Sequence, residues 1–100
     1  MRLLETEEFV HWIRHLKDRM AKMTIAKRLQ RIRDHGHLGD VAPVGQGVSE
    51  LRVHYGPGYR IYLLQEGDVL IVLLSGGDKD SQTKDIKRAT ELAQAWREGR

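Results

Sequence analysis

A Gly56-Pro57-Gly58 turn stands between two stretches rich in β-branched and aromatic residues, and this arrangement predicts a β-hairpin. The first stretch covers residues 48–55 and the second covers residues 59–64. A further turn at Gly67 leads into the apolar run 69–74, which adds a third strand. The rest of the chain must therefore pack around an antiparallel meander, because a small sheet is stable only when a face of it is covered.

The alternation of side chains within this hairpin predicts one strongly polar face, because successive residues of a strand point to opposite sides of a sheet. That face carries five polar side chains, Glu50, Arg52, His54, Arg60 and Tyr62. A turn centred near the proline predicts that His54 lies opposite Arg60. In the same register, Arg52 lies opposite Tyr62. Neighbouring arginines repel each other unless an anion lies between them, so the pattern favours an anion-binding face over the alternative of an ordinary solvated face.

Helical periodicity predicts two helices before the meander. The first covers residues 6–17, with Thr6 as its N-cap. The second covers residues 18–35, with Asp18 as its N-cap and Gly36 as a left-handed stop. Together they form a helical hairpin whose outer surface is basic.

A third helix is predicted over residues 82–98, after a bend at Gly76-Gly77, with Asp80 or Ser81 as its cap. The apolar run before the bend is typical of a strand that is covered on both faces. Two short edge strands are predicted as well, at residues 2–4 and 41–44. The predicted fold class is therefore α+β, in which an N-terminal helical hairpin packs on an antiparallel β-sheet and a C-terminal helix follows, all in one domain.

The charge pattern indicates a polyanionic partner. The chain has a net charge of +3, and eight of its lysines and arginines fall between His11 and His37, against two acidic residues. It has no cysteine, and no apolar run approaches the roughly 18 residues that span a membrane. Its N-terminus also turns acidic too early for a signal peptide. These features predict a cytoplasmic protein with no membrane partner.

The candidate catalytic residues lie mainly on the polar face. Arg52 and Arg60 together could grip a phosphodiester and stabilise its transition state, or each could pair with a carboxylate such as Glu50. His54 can exchange a proton near neutral pH, although many strand-end histidines are ordinary surface residues. Tyr62 could stack on a base or donate to phosphate, or simply pack.

The Gly-rich segment after the third strand adds one more candidate. Its GGDK sequence lacks the spacing of a Walker motif, so a nucleotide-binding loop is not predicted, but Lys79 can reach the polar face across the bend. No metal site is predicted either, because the two histidine pairs have no supporting carboxylate. These pairs are interpreted as surface features, His11 with His15 and His35 with His37.

Several motifs occur together in this chain: ELR at residues 50–52, YGPGYR at 55–60, GGDK at 76–79, and Gln82 followed by KDI at 84–86. In combination they resemble the RelE/ParE superfamily of toxin–antitoxin toxins, in particular its HigB-like subgroup of addiction module killer proteins. The resemblance implies two N-terminal helices packed on an antiparallel sheet. It also implies a metal-independent endoribonuclease that cuts mRNA at the ribosome by helping a 2′-OH attack the adjacent phosphate. By position, it gives phosphate-binding roles to Arg52, Arg60 and Lys79.

The resemblance leaves the proton-transfer residue and the target open. The nucleases of the family place a tyrosine or a histidine near the C-terminus, and residues 83–86 contain neither. His54 and Tyr62 are therefore the predicted substitutes. Because the ParE branch poisons DNA gyrase, the alternative function is gyrase inhibition through protein contacts alone. A third possibility is an inactive chain that persists as a complex partner.

The implied partners are the ribosome, its mRNA and a cognate antitoxin that carries a DNA-binding helix-turn-helix. DNA would be contacted only indirectly, through the complex with the antitoxin. Lys27, Arg28 and Arg31 on the basic second helix would contact ribosomal RNA, and Tyr62 would add an RNA contact on the sheet. No cofactor and no metal are implied.

Overall fold

The computed structural model describes residues 1–99, which form a five-stranded sheet with helices on both faces. The strand order is β1-β5-β4-β3-β2, with β1 parallel to β5 and all other neighbours antiparallel. The α+β fold class is thus confirmed. The elements are β1 (Arg2–Glu5), α1 (Glu7–His15), α2 (Arg19–His35), β2 (Val41–Gly45), β3 (Val48–Val53), β4 (Tyr59–Glu66), β5 (Leu70–Asp78) and α3 (Gln82–Gly99), with a 3₁₀ turn (Lys79–Ser81) before α3.

The helix ends follow from local capping. The Thr6 hydroxyl accepts a hydrogen bond from the N–H of Phe9 (3.3 Å), and the Asp18 carboxylate accepts one from Ala21 (3.1 Å). Gly36 adopts a left-handed φ of 72° and ends α2 as predicted. The cap before α3 differs from the prediction, because the carboxylate of Asp78 accepts from the N–H groups of Asp80 and Ser81 and caps the 3₁₀ turn.

The two faces of the sheet carry separate hydrophobic clusters. On one face, α1 and α2 contribute Phe9, Ile25 and Ile32, which pack on residues of β3, β4 and β5. On the other face, α3 packs its buried Ala89 and Ala93 against the sheet. The central strands are consequently covered on both sides, which confirms the prediction made from the apolar run in β5.

The Gly76-Gly77 pair corrects the predicted end of β5. The strand was predicted to stop before a glycine bend, but it continues to Asp78 and stays paired with β4. Both glycines lie where a neighbour approaches the backbone closely: a Cβ on Gly76 would overlap the ring of Trp12, and a Cβ on Gly77 would overlap the carboxylate of Asp85. These glycines therefore allow α1 and α3 to pack against the strand and do not mark a turn.

Candidate functional site

The β3–β4 hairpin places Arg52 and Arg60 directly opposite each other. The predicted register, with His54 opposite Arg60, is wrong by two residues because β3 ends at Val53 and a five-residue loop precedes β4. A shift of two residues leaves every side chain on its predicted face, since strand side chains alternate with a period of two. The two arginines therefore share a face as predicted, while Tyr62 lies opposite Glu50.

A buried carboxylate lies between the two guanidinium groups. Glu50 is fully buried, and its Oε1 accepts a hydrogen bond from Arg52 Nε (3.1 Å) and lies 3.5 Å from Arg60 Nε. Its Oε2 accepts from Gln82 Nε2 (2.7 Å) and from the Tyr62 hydroxyl (3.4 Å). The anion required between the arginines is thus supplied by the chain itself. Glu50 organises the cluster, and Gln82 ties it to the first turn of α3.

The Arg60 side chain extends from this cluster into a groove of about 410 Å³ that is lined by the β3–β4 loop, His54 and Lys79. Gly58 lies between the two cations, because a Cβ on it would be 3.4 Å from Arg60 Nη1 and 3.7 Å from the Cβ of Lys79. The groove brings together three of the four predicted catalytic residues, His54, Arg60 and Lys79. The fourth, Arg52, lies on the neighbouring strand and is 38% exposed, whereas Arg60 is only 12% exposed.

His54 has an acidic partner that sequence reasoning missed. Its side chain is 73% exposed, and its Nε2 lies 2.5 Å from Asp40 Oδ2. Arg52 Nη1 lies 3.7 Å from the other oxygen of the same carboxylate. The hydrogen bond from His54 and the charges of both partners hold the pKa of Asp40 below its ordinary value. The sequence offered no local signal for this pair, because the two residues are 14 positions apart.

The structure corrects the prediction that Tyr62 contacts RNA. The ring is fully buried and belongs to the hydrophobic cluster beneath α3. Burial, followed by the negative charge of Glu50, raises the pKa of the Tyr62 hydroxyl above its ordinary value. In this arrangement the ring has no face on which a base could stack, so Tyr62 is a core residue that also donates to the carboxylate.

The three cations of α2 that were predicted to contact RNA differ in their exposure and in their hydrogen bonds. Lys27 and Arg31 are exposed and line a groove of about 380 Å³ together with Arg28 and His54. Arg28, in contrast, donates four hydrogen bonds to backbone carbonyls: Nε and Nη2 to Leu38 (3.1 and 2.8 Å), Nη1 to Arg52 (2.8 Å) and Nη2 to Asp40 (3.3 Å). Burial is the main cause that lowers its pKa. Arg28 therefore anchors the loop between α2 and β2, and its contact with RNA stays a prediction.

The two grooves adjoin, because His54 lines both of them. We call the resulting surface the basic strip and define it as Lys27, Arg31, His54, Arg60 and Lys79. It runs from the exposed side of α2 across the end of the hairpin to the start of α3. Such an arrangement of cations beside a histidine can bind a phosphodiester backbone and exchange a proton with it.

Within residues 1–99, no group of three or more His, Cys, Asp and Glu side chains could hold a metal ion. The rings of His11 and His15 stack with centroids 4.1 Å apart, and Nδ1 of His15 is hydrogen-bonded to the carbonyl of His11. None of the described helices has the length and apolar character needed to cross a bilayer.

Comparisons with known proteins agree with the class of fold. No family model matches the chain. Its structure is similar to that of a doubly substituted mutant of the E. coli toxin RelE in the free state, with a TM-score of 0.63 and 16% identity over 86% of this chain and 94% of the RelE chain. The protein therefore has a RelE-like α+β fold.

One protein with a similar sequence shows the family to which the chain belongs. An uncharacterized protein of Haemophilus influenzae is 46% identical to this chain over 89 residues, which make up 89% of each protein. The chain belongs to the same family as this Haemophilus protein.

Proposed function

We propose that this protein is the toxin of a type II toxin–antitoxin system, of the HigB-like kind, and that it stops translation by cutting mRNA at the ribosome. The observation that carries this proposal is the basic strip, in which Arg60, Lys79 and His54 line one groove on a RelE-like fold. A groove of cations beside a proton-exchanging group suits a substrate whose reacting atom is a phosphate. The two grooves of this strip are open to solvent, whereas a small organic substrate usually binds in an enclosed apolar pocket.

The proposed chemistry is attack by a ribose 2′-OH on the neighbouring phosphate. The 2′ oxygen loses a proton and bonds to phosphorus, the bond from phosphorus to the 5′ oxygen breaks, and the leaving 5′ oxygen gains a proton. Arg60 and Lys79 would stabilise the extra negative charge on the phosphate, and removing one such donor typically lowers the rate about 10²–10³-fold. His54, held by Asp40, is the group in the groove that can move the proton.

Glu50 gives this site its rigidity. Its Oε1 accepts a hydrogen bond from Arg52 Nε and lies 3.5 Å from Arg60 Nε, an ion-pair contact in which Arg60 Nε makes no hydrogen bond within residues 1–99. Arg60 Nη1 donates to the carbonyl of Gly58 on the groove side of the cluster (3.4 Å). A guanidinium that is fixed before the substrate arrives loses less side-chain entropy on binding. The carboxylate thus holds the phosphate-binding group in place, and the substrate does not have to order it.

Lys27 and Arg31 would bind ribosomal RNA. They lie on the exposed side of α2, at the far end of the basic strip from Lys79. Backbone-phosphate contacts of this kind release counterions, so binding should weaken steeply as salt rises. A cognate antitoxin with a helix-turn-helix would cover the same strip when the toxin is held inactive, and DNA would be contacted only through that complex.

Inhibition of DNA gyrase is the second candidate function, and one observation favours it. The first turns of α3 bring no tyrosine or histidine to the groove, and Tyr62 is buried. The basic strip therefore has His54 as its one candidate for proton transfer. A protein that inhibited gyrase by binding alone would need no proton-transfer residue, so the lack of a tyrosine or histidine at the start of α3 favours this second function. The two functions differ in what happens to cellular mRNA.

The test is induced expression of the wild-type chain, of Arg60→Ala and of Arg14→Ala, whose exposed arginine lies outside the basic strip. We expect growth arrest, halted protein synthesis and new mRNA 5′ ends in phase with codons for the wild type and Arg14→Ala, and loss of all three for Arg60→Ala. Intact mRNA together with DNA damage signalling would identify a gyrase inhibitor. Absence of growth arrest with folded wild-type protein would identify an inactive complex partner.

A further inference from the structure

The outer edge of β5 has no strand beside it along its second half, within residues 1–99. Strand β1 pairs with β5 only as far as the Glu5 to Leu73 pair, and the Thr6 hydroxyl then donates to the carbonyls of Leu73 and Leu74 (2.8 and 2.9 Å). On its inner edge β5 stays paired with β4 as far as Asp78. Within residues 1–99, no strand lies on the outer side of residues 75–78. Such an edge presents backbone groups that another strand can pair with.

A groove of about 740 Å³ runs along this edge between α1 and α3. Ser75 and Gly76 line it, and Trp12 borders it from α1. Ser75 is only 5% exposed, and its hydroxyl has no hydrogen-bond partner in the described part of the chain. A buried polar atom without a partner is costly unless a ligand or a water satisfies it. The edge therefore combines a backbone without a strand partner, a hydroxyl without a hydrogen-bond partner in residues 1–99, and an aromatic ring.

The charge of this groove is opposite to that of the protein as a whole. Its lining includes three acids, Glu7, Glu8 and Asp85, against Arg88 and the two histidines His11 and His15, whereas the chain has a net charge of +3 with histidines neutral. Arg88 bridges the groove by a two-pronged ion pair with Glu8 (2.7 and 2.8 Å), and this bond lowers the pKa of the Glu8 carboxyl. Because that pair is solvent-exposed, an incoming cation can replace Arg88 at little cost. The lining disfavours nucleic acid and favours a basic ligand.

We propose that this groove docks an extended, basic peptide segment of a partner protein, which adds to the outer edge of β5 beside residues 75–77. The backbone of the segment would pair with the open edge, as in other cases of strand addition. A lysine or arginine of the segment would meet Glu7, Glu8 and Asp85, and an apolar side chain would pack on Trp12. The site is separate from the basic strip and does not depend on RNA cleavage.

The experiment titrates the ¹⁵N-labelled full chain with the synthetic peptide VKVRVKV, acetylated and amidated at its ends, and follows the amide signals by NMR. The controls are VEVEVEV and a VKVRVKV peptide with alternate backbone amides N-methylated, which keeps the charge and removes the pairing. We expect VKVRVKV to shift the amides of Ser75, Gly76 and Gly77, and both control peptides to leave them unchanged.

Matched variants test the charge. The double variant Glu7→Gln/Asp85→Asn should weaken VKVRVKV binding about tenfold, because each of the two carboxylates contributes a few-fold. Asp68→Asn, which neutralises an exposed acid in the β4–β5 turn, should leave it unchanged. The proposal is overturned if the three edge amides do not shift, if the N-methylated peptide binds equally well, or if the shifts fall on the basic strip.

Discussion

Replacing Glu50 with glutamine removes the negative charge from the cluster and leaves its shape almost unchanged. The amide oxygen can take the place of Oε1 beside the two arginines, and the amide nitrogen can then face a flipped Gln82 side chain and the oxygen of Tyr62. Hydrogen bonding is therefore largely preserved. The substitution does remove the negative charge that balances the positive charges of Arg52 and Arg60.

The expected cost follows from the exposure of the two guanidinium groups. Arg52 is 38% exposed, so water can replace most of the stabilisation that the Glu50 carboxylate gives to its charge. Arg60 is only 12% exposed and is left as an uncompensated charge. Breaking a buried ion pair by removing one partner costs about 3–5 kcal/mol, and we expect about 3 kcal/mol because one of the two partners is half solvated. With a urea m value of about 1.5 kcal/mol/M, the unfolding midpoint should fall by about 2 M.

Urea unfolding followed by circular dichroism measures this shift. The matched control is Glu91→Gln, which removes a carboxylate from an exposed ion pair with Arg88 on α3 and should leave the midpoint unchanged. If Glu50→Gln unfolds within about 0.3 M of the control, the carboxylate does not hold the arginines. The argument that Glu50 organises the site would then be refuted.

Three further changes test other parts of the structure. Gly76→Ala drives a methyl group into the ring of Trp12 and should cost about 1–3 kcal/mol of stability, seen as a lower Tm; an unchanged Tm would show that the ring can move aside. Arg28→Ala removes four hydrogen bonds to backbone carbonyls and should lower the free energy of unfolding, measured in urea, by about 2 kcal/mol. Arg31→Ala should leave the stability nearly unchanged and reduce the salt dependence of ribosome binding. Equal stabilities of the two variants would contradict the structural role of Arg28. The pKa of the Tyr62 hydroxyl is raised in the folded state, so the unfolded state ionises first and the stability should fall as pH rises above about 10. In thermal melts between about pH 8 and 11, Tyr62→Phe should reduce this loss of stability. An identical loss in both proteins would contradict the burial of the hydroxyl.

The polar face of the hairpin could be predicted from sequence because it depends only on alternation along a strand. The register was wrong by an even number of residues, so Arg52 and Arg60 were still assigned to the same face. Their immediate partner could not be predicted, because side-chain alternation does not show which of several polar neighbours is buried. That Glu50 is fully buried follows from the position of α3, whose Gln82 comes from 32 residues away.

The glycines show a second limit of local reasoning. Gly76-Gly77 is compatible with a bend and with a strand that other elements approach closely, and only the tertiary packing of Trp12 and Asp85 distinguishes the two. Tyr62 was misassigned for a related reason, since the helix that covers it lies later in the chain. Helix caps, in contrast, are local, and both Thr6 and Asp18 were predicted correctly.

Single-turnover cleavage of a defined mRNA in the decoding site of purified ribosomes tests most directly whether the basic strip carries catalysis. The proteins to compare are the wild type, Arg60→Ala, Lys79→Ala and the control Arg14→Ala, each checked for folding by circular dichroism. We expect cleavage about 10²–10³-fold slower for Arg60→Ala, a smaller loss for Lys79→Ala and a wild-type rate for Arg14→Ala. Wild-type rates for both strip variants would contradict the proposed site.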